Sequence, residues 1–145
     1  METNRTYYLT NKSVEPEILF RTDENCNYFY SSLIKYVSPI AEIHSCVLQN
    51  NSYHLLVTIK DLDHIKQCHR QNRRKPFLST RVIRQQFSNL MNSYAQSFNR
   101  YYSRKGTLFQ KGLVVEEIPS EEDLYLFHDA LTCLPDLKFY KFITS

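Results

Sequence analysis

The chain has 145 residues with a net charge of +3, and 42% of its residues are hydrophobic and 23% charged. This composition predicts one globular domain, residues 1–145, and excludes disordered, repetitive and collagen-like chains. No apolar run approaches the length of a bilayer span and the first residues are unlike a signal peptide, so we expect no membrane partner.

Hydrophobic spacing predicts a strand, a helix and a hairpin in the first part of the chain. A short β-prone segment covers residues 7–10. An amphipathic helix follows Asp23 and ends at Pro39. Two strands, at residues 43–48 and 53–59, are joined by a polar connection of hairpin length.

A long helix is predicted in the second part of the chain. A short helix at 61–68 and a basic loop at 71–76 precede it, and we expect Ser79 or Thr80 to cap it and Gly106 to end it. Its apolar residues recur every three or four positions and therefore predict a buried stripe, consisting of Ile83, Phe87, Leu90, Met91, Tyr94, Phe98 and Tyr101.

The last predicted elements are a strand at 113–118 and a helix that begins near Ser120 and runs to about Cys133. Strands and helices in this order predict an α+β domain in which helices pack on an antiparallel sheet.

The four cysteines are scattered and form no close-spaced pair: Cys26, Cys46, Cys68 and Cys133. In a chain without a secretion signal this favours reduced, packed thiols over disulfides or a zinc site. The sequence therefore predicts a cytoplasmic protein.

The charges are strongly segregated along the chain. From Lys66 to Lys105 there are ten Lys and Arg residues and no acid, and from Glu116 to Asp136 there are seven acids and no Lys or Arg. Blocks of one charge are also typical of solvated faces. A long acid-free segment creates a positive field that solubility does not require, and it indicates a polyanion-binding face.

Four blocks of the sequence, in order, resemble the HUH endonucleases: residues 7–12, 50–57, 85–100 and 104–111. The likeness covers roughly residues 6–135 and is greatest to the single-tyrosine HUH transposases of the REP-associated branch. It implies a ferredoxin-like fold. It also implies DNA hairpins as partners and cleavage of one strand through a 5′-phosphotyrosine intermediate.

The block at 50–57 resembles the metal-binding strand of this family, in which two histidines flank a hydrophobic residue. Residues two apart on a strand point to the same face, so both imidazoles reach one divalent ion. Here the second histidine is His54, whereas the first position is Ser52. We expect both side chains on one face of a central strand, with His54 as a residual metal ligand.

The resemblance also implies a nucleophilic tyrosine that opens a segment reading Tyr-Ile-x-x-Asn-Pro. Aligned on Pro135, the nucleophile position is Ala130 and the polar metal-ligand position is Leu134. Alanine has no nucleophile, and a serine hydroxyl is a poor substitute for imidazole on a divalent metal. We therefore expect no catalytic residue and no required cofactor, with Mg²⁺ or Mn²⁺ needed only for residual activity.

A displaced active site is the alternative. Tyr125 and His128 are three residues apart and share a helix face. His44, on the preceding strand, is placed to face His54 across the hairpin. Tyr125 would then be an offset nucleophile, and the protein an active metal-dependent single-strand DNA transposase or endonuclease.

The candidate phosphate contacts are the cations of the acid-free segment and of the turn after it: Arg70, Arg73, Arg74, Lys75, Arg81, Arg84, Arg100, Arg104, Lys105 and Lys111. Those at the helix end also complement the helix dipole, which is a purely structural explanation. The leading hypothesis is a transposase-like protein that binds stem-loop or single-stranded DNA without cleaving it. A homodimer is compatible with the sequence, as is an interaction module that binds protein through its acidic last helix.

Overall fold

The computed structural model describes residues 1–69 and 76–142, which form five strands and four helices. The strands are β1 (Thr6–Lys12), β2 (Ala41–Gln49), β3 (Ser52–Ile59), β4 (Val114–Ile118) and β5 (Leu137–Phe142). The helices are α1 (Asp23–Val37), α2 (Leu62–His69), α3 (Ser79–Tyr101) and α4 (Glu121–Thr132).

The strands form one antiparallel sheet in the order β4-β1-β3-β2-β5. The first four positions, with α1 and the α2–α3 pair as crossovers, are the ferredoxin-like arrangement, so the predicted α+β fold class is confirmed. β3 lies at the centre of the sheet, and a two-residue connection, Asn50 and Asn51, joins it to β2. The strand with the two matched metal positions is therefore the most enclosed of the five.

Helices cover both faces of the sheet. Side chains alternate along each strand, so Leu55 and its neighbours on one face join α1, α2 and α3 in the main core. On the other face a smaller cluster forms around Val47, Leu56, Ile118 and Leu131, the last of these from α4. We call α1, α2 and α3 the helical layer, and the opposite side the α4 face.

Local sequence accounts for where α1 begins and what it buries. Thr22 accepts a hydrogen bond from the backbone of Asn25, whose side chain accepts one from the backbone of Thr22, and these two bonds form a capping box. Inside the helix Phe29 is fully buried, and its ring centroid lies 5.1 Å from that of Tyr53 and 5.4 Å from that of Tyr94. This aromatic contact joins α1, β3 and α3.

The start and end of α3 differ from the prediction, and the helix ends at Tyr101 rather than at Gly106. The cap position is Leu78, in an extended conformation and with no side-chain bond, so the expected capping by Ser79 or Thr80 is wrong. Tyr101 is 65% exposed. Tyr102, four residues after Phe98, takes the inward place and packs on it at 4.6 Å between ring centroids. The other predicted stripe residues are buried or pack against the core.

β5 was not predicted. Its sequence, Leu137 to Phe142, contains two lysines and is half exposed, so it has no apolar run of its own. It forms because its backbone pairs with the outer edge of β2. In residues 1–69 and 76–142 no helix is long and apolar enough to cross a bilayer. All four cysteines are free thiols; Cys26 and Cys46 are packed in the interior as expected, whereas Cys133 is exposed.

Candidate strand-histidine site and nucleic-acid interface

As predicted, Ser52 and His54 lie on the same side of the central strand β3, and the structure shows that this is the α4 side of the sheet. His54 pairs with Thr10 of β1 and Val47 of β2, and only 8% of its surface is exposed. The Ser52 Oγ lies 3.3 Å from the His54 Nε2. The alternation of a central strand has therefore brought the two matched positions together.

Both ring nitrogens of His54 are hydrogen-bonded to protein groups. Its Nδ1 lies 2.7 Å from the Tyr8 hydroxyl, and its Nε2 lies 2.6 Å from the Oε1 of Gln49. Gln49 Nε2 donates to the carbonyl of Pro135 at 2.8 Å, and Ser52 donates to Gln49 Oε1 at 2.8 Å. A carbonyl only accepts, so the Gln49 amide is oriented with its oxygen towards His54. His54 Nε2 therefore donates, and Nδ1 accepts from Tyr8.

This donor set does not fit the divalent metal that the resemblance implies. A histidine binds metal through an unprotonated ring nitrogen, and here Nε2 bears the hydrogen while the Nδ1 lone pair is directed to Tyr8. Leu134, the third matched position, packs in the small apolar cluster. Within the part of the chain that the structure describes, no three His, Cys, Asp or Glu side chains are grouped closely enough to hold a metal ion.

Burial determines the protonation of the strand-histidine site, which consists of Tyr8, Gln49, Ser52 and His54. It lowers the pKa of His54 to about 4 and raises the pKa of Tyr8 above its ordinary value, so both side chains are neutral near pH 7. The two rings stack in parallel with centroids 5.9 Å apart, and Phe127 of α4 packs on Tyr8 at 5.2 Å. The site is a neutral, fully hydrogen-bonded network under α4.

We expect acid to destabilise the protein through His54. Its pKa is near 6.5 in the unfolded chain and about 4 in the fold, so between these values the unfolded state binds the extra proton. The free energy of unfolding therefore falls as the pH drops from about 6.5 to about 4, by on the order of 3 kcal/mol from this residue. Urea unfolding at about pH 7 and about pH 4 measures this difference in the free energy of unfolding.

The control for that measurement is His54→Gln, which removes the titrating group. Burial also lowers the pKa of His44 and His128, so those two residues contribute acid sensitivity in both proteins. The variant should lose clearly less stability on acidification than the wild type. Equal losses in the two proteins would show that His54 is not buried in its neutral form.

The matched nucleophile position has no reactive group. Ala130 is exposed on α4. Tyr125, the fallback nucleophile, is 60% exposed, and its ring centroid lies 6.4 Å from that of His128, so the predicted sharing of one face is confirmed. His128 Nδ1 is hydrogen-bonded to the hydroxyl of Ser45 in β2.

The expected pairing of His44 with His54 is wrong. An irregularity in β2 leaves His44 outside the ladder between Ile43 and Ser45, and the register then places Val47 opposite His54. His44 instead bonds Thr58, with 2.7 Å between Nε2 and Oγ1. His44, Tyr125 and His128 together line a cleft of about 440 Å³. The displaced candidates therefore meet one another but not the strand-histidine site.

The predicted cations divide into three groups. Four are exposed and make no salt bridge to any residue of the described ranges: Arg84, Arg100, Lys105 and Lys111. Two are bound to protein groups: Arg81 donates to the Pro76 carbonyl, and Arg104 forms a salt bridge with Glu17. Arg70, Arg73, Arg74 and Lys75 lie outside the described residues.

Arg104 is not a free surface cation, which corrects the prediction for this residue. Its Nε lies 2.9 Å from the Glu17 carboxylate, and its guanidinium donates to the Thr107 carbonyl at 2.8 Å and to Asn99 at 2.9 Å. Only 17% of the side chain is exposed. Arg104 therefore holds the turn after α3, where its position in the sequence suggested a phosphate contact.

The sheet separates the two charge blocks. α3 and the last four residues of α2 belong to the acid-free segment and lie in the helical layer, and the 23 residues of α3 include no Asp or Glu. α4, whose first turn contains Glu121, Glu122 and Asp123, lies on the opposite face. A polyanion is therefore attracted to the α3 surface of the helical layer and repelled from the acidic first turn of α4.

Two members of the strand-histidine site were missed by sequence reasoning. Tyr8 belongs to the first strand, and only the β1–β3 register brings it beside His54. Gln49 is three residues before Ser52 across a tight hairpin, and that short spacing is the one signal that points to it.

Comparison with known proteins supports the fold. No family model matches the sequence, and no curated protein matches it. Among solved structures, the chain is similar to a REP-associated tyrosine transposase bound to a REP hairpin, with a TM-score of 0.61 and 13% sequence identity. The match covers 95% of this chain and 78% of that one. At this identity the likeness establishes that the two chains share a fold.

Proposed function

We propose that this protein is a transposase-like DNA-binding protein that recognises stem-loop DNA through its helical layer and does not cleave it. The observation that carries the proposal is the exposed, acid-free surface of α3, where Arg84 and Arg100 make no salt bridge within the described residues. Gln85, Asn92 and Gln96 are exposed on the same helix. Such side chains hydrogen-bond to phosphates, sugars and base edges.

The similar solved structure supports the choice of partner, because that transposase is bound to a REP hairpin. The strand-histidine site supports the absence of cleavage. Cleavage of a DNA strand by a tyrosine requires a phosphate held by a metal ion and a tyrosine hydroxyl close to that phosphate. None of the matched positions supplies the required group. The Nε2 of His54 carries a hydrogen, Leu134 has an aliphatic side chain, and Ala130 has only a methyl group.

Single charge reversals test the proposed surface. Arg84→Glu and Arg100→Glu should each weaken binding to a fluorescein-labelled stem-loop DNA about tenfold, since each loses one phosphate attraction of about 1 kcal/mol and gains a repulsion. Lys12→Glu is the matched control, because Lys12 is an exposed cation at the end of β1 with its side chain on the Ser52 side of the sheet. Fluorescence anisotropy at constant salt measures all three.

The control should bind like the wild type, and thermal denaturation should show that the variants are folded. Equal weakening by the control would indicate a nonspecific effect of net charge. Unchanged binding in both α3 variants would remove α3 from the interface and with it the proposed function.

The second candidate function is an active nuclease with a displaced site. The observation that favours it is the cleft that Tyr125 shares with His44 and His128. In this mechanism the Tyr125 hydroxyl would lose its proton and attack a backbone phosphate, forming a 5′-phosphotyrosine bond while the bond to the 3′-oxygen breaks and a free 3′-hydroxyl is released. A covalent DNA adduct on Tyr125, mapped by mass spectrometry, is the result that separates the two functions.

A further inference from the structure

A cleft of about 470 Å³ lies where α1, α2 and α3 meet in the helical layer. It is lined by Lys35, Tyr36, Pro39, Lys60, His64, Gln67, Cys68, Gln86 and Asn89. This lining contains two lysines and three side-chain amides and no carboxylate. Its chemistry is therefore suited to an anion that accepts several hydrogen bonds.

The two lysines reach the cleft from different elements. Lys35 is exposed in the last turn of α1, and Lys60 follows β3 directly. Within residues 1–69 and 76–142 neither one makes a salt bridge. The nearby carboxylate of Asp61 is engaged, because it accepts from the backbone of His64 at 3.1 Å and lies 2.7 Å from that ring's Nδ1. The two positive charges are therefore free to meet a ligand.

The amide wall of the cleft is held in place by its own hydrogen bonds. Gln86 Nε2 donates to the Tyr36 carbonyl at 2.8 Å, and Asn89 Nδ2 donates to Gln86 Oε1 at 3.0 Å. Gln85 donates to the Asn89 side-chain oxygen at 2.8 Å. These amides are ordered before any ligand arrives, which reduces the entropy lost on binding.

The cleft continues into the surface of α3 that carries the proposed function. Asn89, Gln96 and Arg100 are spaced by seven and four residues and so share one side of the helix. From Asn89 to Arg100 the helix rises about 16 Å, which corresponds to roughly five base-pair steps of duplex DNA. Phosphates at the two ends of such a stretch are within reach of the cleft and of Arg100.

We propose that this cleft binds phosphate groups of the DNA backbone, with Lys35 and Lys60 as the cations, and so extends the DNA interface from α3 onto α1 and the end of β3. The inference rests on the proposed function. It assigns a role to two lysines outside the acid-free segment, and it predicts the footprint of the bound DNA.

The chain contains its own reporter for this footprint. Cys68 is partly exposed in the lining of the cleft, whereas Cys133 is exposed at the end of α4, on the other side of the sheet. Cys26 and Cys46 are buried and stay unreactive. Burial raises the pKa of Cys68 and slows its reaction, so each thiol is compared only with itself, with and without DNA.

The experiment is iodoacetamide labelling of the wild-type protein, with and without stem-loop DNA, followed by mass spectrometry of each cysteine. With free DNA at ten times its Kd, we expect the labelling rate of Cys68 to fall about tenfold. The rate for Cys133 should not change. An unchanged labelling rate of Cys68, while anisotropy shows that the DNA is bound, would overturn the proposal that the cleft binds phosphates and would leave the α3 interface intact.

A double variant gives a second readout. Lys35→Gln with Lys60→Gln should reduce the salt slope of binding by about two, because each phosphate contact contributes about 0.9 to that slope. Lys12→Gln should leave the slope unchanged. An unaltered slope in the double variant would also overturn the cleft, and failure of the wild-type protein to bind stem-loop DNA would overturn both proposals together.

Discussion

Raising the salt concentration from about 50 to about 200 mM should weaken binding of the wild-type protein to stem-loop DNA by about 500-fold. Each neutralised phosphate releases condensed counterions, and about five such contacts give a slope near −4.5 on a double-logarithmic plot. The exposed cations available for these contacts include Arg84, Arg100, Lys105 and Lys111. Anisotropy titrations at four or more salt concentrations measure the slope.

The control for this prediction is the Arg84→Glu and Arg100→Glu double variant. It should show a slope smaller by about two, because two phosphate contacts are lost. A flat salt dependence in the wild-type protein would contradict the phosphate-dominated interface. An unchanged slope in the variant would place the contacts elsewhere on the surface.

The second large effect concerns restoration of catalysis. Ser52→His with Ala130→Tyr supplies two of the three missing groups, and we nevertheless expect no covalent DNA adduct. The reason is Gln49, whose Oε1 lies 2.6 Å from His54 Nε2 and accepts the hydrogen of that nitrogen. Adding Gln49→Ala and Leu134→Asn should free the nitrogen, supply the third ligand and give a weak adduct that depends on Mn²⁺.

The gain is measured by denaturing gel electrophoresis of labelled stem-loop DNA, in which a covalent adduct migrates with the protein. Loss of a nucleophile removes on the order of 10⁴ to 10⁶ in rate, so even partial restoration is detectable. The matched control replaces Ala130→Tyr by Ala130→Phe in the same background and should give no adduct. Adduct formation by the two-residue variant would show that Gln49 does not block the site.

The sheet and the long helices were predictable because their signals are local. Alternation placed Ser52 and His54 on one face of β3, and the spacing of apolar residues placed Phe87 and Tyr94 in the core. β5 escaped prediction because its stability comes from pairing with β2, a contact that its own sequence does not encode. The predicted burial of Tyr101 was wrong because the next residue, Tyr102, takes the inward position at the helix end.

The site was only partly predictable, since its chemistry depends on register and turns. The β2–β3 register places Val47, not His44, opposite His54, and His44 bonds Thr58 instead. The turn after α3 uses Arg104 internally, although its place in a cationic run suggested a surface role. Lys35 is isolated in the sequence, and only the packing of three helices brings it beside the amides of α3.

The most direct test of DNA binding without cleavage is to incubate wild-type protein with labelled stem-loop DNA and Mn²⁺. The same sample is assayed for retention on a native gel and for a covalent adduct on a denaturing gel. We predict salt-sensitive retention and no adduct, because His54 is hydrogen-bonded on both nitrogens and Ala130 has no hydroxyl. A Mn²⁺-dependent 5′-phosphotyrosine adduct at Tyr125 or at any other tyrosine would contradict the proposed absence of cleavage, and absence of retention would contradict DNA binding.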